Sequence, residues 1–141
     1  MSQNNIMNLE CGTEDFVTLE QAEKLKELGF NWKCYASYDE GELDEGLDCY
    51  NRATFENYNK WRDNLCSAPT LAQAQKWLRE RFGRDLVISP RFNSETGERI
   101  GYFWKCSQRT DLNIQFKTYN TYEEALSEAI TTILDQYNYG E

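Results

Sequence analysis

Three stretches of the chain repeat apolar side chains every three or four positions, the spacing of one face of an α-helix. Each begins with a threonine, a large apolar residue, any residue, a glutamine or glutamate, and an alanine. This order is a capping box, in which the threonine hydroxyl accepts a hydrogen bond from an amide of the first helical turn. The pattern predicts helices over 19–28, 71–82 and 122–137, each beginning directly after Thr18, Thr70 or Thr121.

Segments rich in β-branched and aromatic residues lie between these helices and predict strands. The acidic, glycine-containing stretch 39–47 is predicted to be the turn of a first hairpin. Segment 56–66 is ambiguous, because Tyr58, Trp61 and Leu65 could form one short helical face. The predicted strands cover residues 32–38, 48–55, 86–92, 100–106 and 112–118.

This order of elements predicts an α+β fold, α-β-β-(α)-α-β-β-β-α, with small antiparallel sheets and helices packed on one face. We expect a flexible N-terminus over 1–17 and a single domain over 18–139. The three capping boxes start 52 and 51 residues apart. Two explanations stay open: three independent helix starts, or an old duplication in which 18–66 and 70–137 are related subunits.

Composition places limits on the class of protein. Of the 141 residues, 40% are hydrophobic and 14% aromatic, which excludes a wholly disordered chain. The formal net charge of −9 opposes non-specific binding to nucleic acid, which depends on cations that neutralise phosphates. The charge is uneven, however, because 76–109 carries eight cations and four acids. A local basic patch on an acidic protein is therefore an expectation.

Candidate catalytic and metal-binding chemistry is sparse. Histidine is absent, which removes the commonest general base and the imidazole metal ligands. The five cysteines form no CxxC pair, and we interpret them as reduced thiols that pack as small apolar residues. Six acids fall within 39–48, but their spacing does not match a calcium loop. We therefore predict no catalytic residue, no metal and no cofactor.

The strand 100–106 is aromatic on both faces and provides the candidate interaction surface. If its Phe103 packs under the helices, the alternating side chains face solvent. The opposite arrangement, with Trp104 in the core and Phe103 and Lys105 outward, stays open. On the first reading we expect one solvent-facing patch made of Tyr102, Trp104, Arg91 and Gln115.

Three strings, TLEQAEKLKELGF, SAPTLAQAQKWLRERFG and YNTYEEALSEAITTIL, resemble recurrent segments of an uncharacterised family of small proteins encoded by gut bacteriophages and prophages. The resemblance covers about residues 18–135. It implies a phage or mobile-element origin and a location in the cytoplasm of a bacterial host, but supplies no activity and no site residue. The start of the chain lacks a basic and an apolar stretch, so we expect no signal peptide.

Together these observations favour a non-enzymatic accessory protein that binds a host or phage protein. It would bind through one of two surfaces. Its acidic surface would either dock to a basic surface of the partner or mimic nucleic acid. Alternatively, the aromatic sheet face would form the contact. The alternative is a module that binds nucleic acid through a sheet face and the basic region 76–109. We expect no membrane partner, since no apolar run approaches the length of a transmembrane helix.

Overall fold

The computed structural model describes residues 15–45, 55–61, 63–108 and 117–137. Within these residues, three helices and two small antiparallel sheets confirm the predicted α+β class. One sheet has the strand order β2-β1-β3, and the other is the hairpin β4-β5. The helices are α1 (Leu19–Glu27), α2 (Leu71–Phe82) and α3 (Tyr122–Asp135), and the strands are β1 (Ser37–Asp39), β2 (Glu42–Asp44), β3 (Leu65–Ser67), β4 (Leu86–Phe92) and β5 (Arg99–Cys106).

All three helices begin where the capping boxes predict. The hydroxyls of Thr18, Thr70 and Thr121 accept hydrogen bonds of 3.0–3.1 Å from the amide three residues later. The full reciprocal box forms in α1, where the Gln21 side chain accepts from the Thr18 amide at 2.8 Å. The other helix starts are therefore fixed mainly by the threonine.

The Gln21 side chain also joins the two halves of the chain. It is buried, and its amide nitrogen donates to the carbonyl and hydroxyl of Ser127 at 2.9 and 3.1 Å, and to the Thr131 hydroxyl at 2.8 Å. Lys24 forms an ion pair of 3.0 Å with Asp135 one turn further along. These contacts fix α1 against α3 and satisfy a polar group that would be costly to bury alone.

The first sheet differs from the prediction. The turn between β1 and β2 consists of Glu40 and Gly41, both with positive φ (53° and 87°), so β2 lies inside the acidic stretch that was predicted to be the turn. An edge strand whose residues are all exposed accommodates acids as readily as a turn does. The predicted strand 48–55 falls almost entirely outside the described residues, and Phe55 is not in a strand.

Segment 56–66 contains a single 3₁₀ turn, Tyr58–Lys60, followed by β3, which pairs with β1. The Ser67 hydroxyl, which is fully buried, accepts from the amides of Tyr58 and Asn59 at 2.9 and 3.2 Å. The Asn59 side chain in turn accepts from the Ser67 amide at 2.7 Å. These bonds let the chain leave the turn as a buried strand rather than continue as a helix.

The β4-β5 hairpin has the predicted strand bounds within one residue, and Leu86 pairs with Cys106 at its open end, away from the turn over 93–98. Beside it, the amide and carbonyl of Tyr119 bond those of Tyr102 at 2.8 Å. Most of the predicted strand 112–118 lies outside the described residues. Gly101 permits the close approach of 117–119, because a Cβ there would lie 2.4 Å from Thr118 Cγ2.

The buried core draws on both halves of the chain. Helix α3 packs against β4 and β5 and contacts α1 and α2. Val17 is fully buried and its amide bonds the Pro69 carbonyl, so Asp15–Val17 belong to the fold rather than to a flexible N-terminus as predicted. The largest buried side chains come from segments between α1 and α3, and they include Phe30, Leu25, Leu78, Trp104, Ile130 and Ile133.

Candidate binding surfaces

The predicted aromatic patch is not present as one surface. Trp104 is 2% exposed and lies in the core, so its placement on an open sheet face was wrong. The reason is the register of the hairpin: Trp104 pairs with Ile88 and shares its face with Leu86 and Cys106, the face that α3 covers. Side-chain alternation alone does not tell which face of a strand is covered.

The other two described members of the patch, Tyr102 and Arg91, lie on opposite faces of the hairpin. Tyr102 is half-buried on the same face as Trp104, with its ring 6.0 Å from that of Tyr122. Arg91 pairs with Gly101 and lies on the opposite face, where its guanidinium stands 4.5 Å from the Phe103 ring. Gln115 lies outside the described residues. The arrangement with Phe103 and Lys105 on the outer side is therefore the one observed.

The outer face of the β4-β5 hairpin is a first candidate surface. Phe103 is half-buried and Lys105 is exposed, and the register places Ser89 opposite Phe103 and Val87 opposite Lys105. Among the described residues of β4 and β5, this face carries two cations and no carboxylate. Its chemistry suits an anionic partner, as the basic region predicted.

A second candidate surface, here called the acidic groove, lies between α1, the β1-β2 turn and the segment before β3. It encloses about 420 Å³. Its apolar surface is supplied by Leu19, Tyr38 and Cys66, and its acids are exposed. Ten residues line it: Leu19, Glu23, Lys26, Glu27, Tyr38, Glu40, Gly41, Asp63, Asn64 and Cys66.

Hydrogen bonds hold the walls of the acidic groove in place. Lys26 Nζ donates to the main-chain carbonyls of Asp63 and Leu65 at 3.1 and 2.8 Å, which ties α1 to the segment before β3. The Glu40 amide donates to the Asn64 carbonyl at 3.3 Å, which ties that segment to the β1-β2 turn. The Tyr38 hydroxyl donates to the Val17 carbonyl at 2.7 Å. The groove is thus part of the folded framework.

The described residues make this groove negative. Among them, four carboxylates line it, those of Glu23, Glu27, Glu40 and Asp63, and one ammonium does, that of Lys26. Within the described part of the chain, the side chains of Glu23, Glu27 and Asp63 form no hydrogen bond or ion pair. Their charge is therefore directed to solvent or to a ligand.

Two of the described cysteines, Cys34 and Cys66, are poor nucleophiles. Cys34, Cys66 and Cys106 are buried and form no disulfide. Burial raises the pKa of the Cys34 thiol, and burial also raises the pKa of Cys66, with Glu23 adding to that effect and Lys26 opposing it. A raised pKa keeps the thiol protonated at neutral pH. Within the described residues, no three His, Cys, Asp or Glu side chains are grouped to hold a metal ion.

Sequence reasoning missed the acidic groove because its acids come from three distant segments. The available signal was the spacing of Leu19, Glu23 and Glu27 along one side of α1. Which segments face this side of α1 depends on how β1 and β3 pair, and no local pattern gives that pairing.

The comparisons with known proteins give no relatives: no family model matches the chain, and no curated protein or solved structure matches it. Among the helices of the described residues, none has the length and apolar character needed to cross a membrane.

Proposed function

We propose that this protein is a non-enzymatic binding protein that holds a basic segment of a partner protein in the acidic groove. On the resemblance given above, it is a phage or prophage accessory factor, and the partner is a host or phage protein in the bacterial cytoplasm. The observation that carries the binding proposal is the groove itself. Its described lining has four carboxylates next to apolar side chains, and Lys26, the cation in that lining, is engaged by main-chain carbonyls.

The charge of the groove favours a cationic ligand over a neutral one. Three of its carboxylates have no partner within the described residues, so a basic side chain would gain ion pairs without breaking existing ones. The net charge of −9 adds a long-range attraction that speeds the encounter with a basic partner. This attraction is screened by salt, so binding should weaken as ionic strength rises.

The apolar surface of the groove favours arginine or lysine as the ligand over a small inorganic cation. Both side chains carry long aliphatic stems that pack on apolar surface while the charged head stays near water. Leu19 and Tyr38 are both half-buried in the groove and offer such a surface next to the acids. This combination of acids and apolar side chains fits a peptide segment better than a free ion.

Titration calorimetry with an arginine- and lysine-rich peptide tests this proposal, with an acidic peptide of equal length as the negative control. The double variant Glu23→Gln/Glu27→Gln should bind the basic peptide about three- to tenfold more weakly, as expected for losing two partly exposed ion pairs. The matched control Glu123→Gln/Glu128→Gln makes the same charge change on the exposed side of α3. Equal losses in both variants, or no binding, would refute the proposal.

A second candidate function, binding of nucleic acid, is favoured by the outer face of the hairpin, where Arg91 and Lys105 lie on either side of the Phe103 ring position. Cations and an aromatic ring on one face are the elements of single-strand binding. Retention of a labelled oligonucleotide that falls steeply with salt, and that Lys105→Gln reduces, would support it. An oligonucleotide that does not bind at low salt would exclude it.

A further inference from the structure

The acids of α1 that border the acidic groove form a ladder with a defined step. Leu19, Glu23 and Glu27 follow one another at intervals of four residues, so they lie on one side of the helix. With a rise of about 1.5 Å per residue, successive members stand about 6 Å apart along the helix axis. The ladder begins with the apolar side chain and continues with two carboxylates.

The β1-β2 turn lies near the apolar end of this ladder, because a Cβ built at Gly41 would lie 4.0 Å from Leu19 Cδ2. A segment that lies along α1 therefore meets Leu19 next to this turn and the two glutamates beyond it. Glu40 and Asp63 border the groove from the other elements, which adds negative charge across from the ladder.

The length of the groove along α1 accommodates an extended ligand. Its volume is about 420 Å³, and its α1 side runs over the roughly 12 Å from Leu19 to Glu27. An extended segment of about four residues covers that distance, since its rise is about 3.4 Å per residue.

An extended chain also matches the step of the ladder. Its side chains point to the same side at every second residue, about 6.8 Å apart, which is close to the step of about 6 Å between Glu23 and Glu27. Adjacent residues point to opposite sides, so two neighbouring cations could not both face α1.

We propose that the acidic groove recognises an extended segment with two cationic side chains separated by one residue, arginine or lysine at positions i and i+2, paired with Glu23 and Glu27. This inference rests on the proposed function, and it adds the conformation and spacing of the basic segment. An apolar residue preceding the basic pair would face Leu19 and Tyr38, the apolar side chains of the groove.

The test compares peptides of equal length and charge, each with two arginines in a glycine–serine background, at spacings of i+1, i+2 and i+3. An alanine-rich helical peptide with arginines at i and i+4 is the fourth ligand. We expect the i+2 peptide to bind at least about threefold more tightly than the others, the effect of one additional exposed ion pair. Glu27→Gln should abolish this preference, whereas Glu123→Gln, its matched control on α3, should preserve it.

Each outcome decides between the two proposals. Equal binding at every spacing would overturn the spacing inference and leave the binding of basic segments standing, provided that Glu23→Gln/Glu27→Gln still weakens all four peptides. Tightest binding of the helical peptide would overturn the extended conformation. Failure of every peptide to bind at low salt would refute both the inference and the proposed function.

Discussion

At the scale of single residues, Trp104 shows how much one buried side chain contributes. Its indole is among the largest fully enclosed side chains, and its N–H has no hydrogen-bond partner among the described residues. The ring therefore stabilises the fold through apolar contact with the face of β4-β5 that α3 covers. The indole N–H therefore makes no hydrogen bond within the described residues that a Trp104→Phe variant would lose.

We expect Trp104→Ala to lower the free energy of unfolding by about 3–5 kcal/mol, the usual cost of emptying a large core site. Trp104→Phe should lose clearly less, because the N–H is unused. Trp61→Ala is the matched control, since Trp61 is 56% exposed, and it should change stability by less than about 1 kcal/mol. Urea unfolding followed by circular dichroism measures all three, and similar losses at 104 and 61 would contradict the core position.

At Gly101, the close approach of the 117–119 segment to β5 leaves no room for a side chain. We expect Gly101→Ala to destabilise by at least about 1 kcal/mol more than Gly97→Ala, because a Cβ at 101 would also lie 2.5 Å from the Tyr119 carbonyl oxygen. Gly97 has a positive φ of 78° but open space around it, so its variant reports conformational strain alone. Equal denaturant midpoints would show that 117–119 does not pack on β5.

At the scale of elements, the threonine caps explain why the helices were predicted well. We expect Thr70→Ala and Thr121→Ala each to lower the free energy of unfolding by about 0.5–2 kcal/mol, the cost of a lost N-cap bond. Thr70→Ser and Thr121→Ser keep the accepting hydroxyl and should lose less. Chemical denaturation curves provide the measurement, and unchanged midpoints in both alanine variants would remove the caps as determinants of these helices.

Elements that are marked by neighbouring residues in the sequence were predicted more accurately than features that depend on contacts between distant segments. Helix α2 was predicted over its full length, because Thr70 and Gly83 mark its ends within the sequence itself. β2 was missed because its pairing with β1 is set by a two-residue turn at Glu40–Gly41, which the acidic composition concealed. The acidic groove was missed for a similar reason, since it exists only after α1, β1 and β3 have packed together.

The predicted aromatic patch failed for a different physical reason. Alternation correctly separated Trp104 from Phe103, but the choice of the covered face depends on where α3 lies. Arg91 was then assigned to the wrong side, because which side chains share a face follows from the cross-strand register and not from β4 alone. Only the pairing of Arg91 with Gly101 shows that it accompanies Phe103.

At the scale of the whole molecule, the question is whether the two predicted subunits, 18–66 and 70–137, are independent. The buried core is continuous from Val17 to Leu134, and no boundary in it separates the halves. Gln21 adds a polar connection, because its buried side chain bonds the carbonyl and hydroxyl of Ser127 on α3. A fold held in this way should lose both halves at once.

We therefore expect a single cooperative unfolding transition, with coincident midpoints for probes in the two halves. Two variants that keep only Trp32 or only Trp104, the other tryptophans replaced by phenylalanine, report on each half by fluorescence. Adding Gln21→Ala to both should lower stability by about 1–3 kcal/mol, because it removes the hydrogen bonds to Ser127 and Thr131 and empties a buried site. Since the core is shared, the Trp104 signal should shift as much as the Trp32 signal, although Gln21 belongs to the first half. A shift confined to Trp32, or two separated transitions, would show instead that the chain folds as two units.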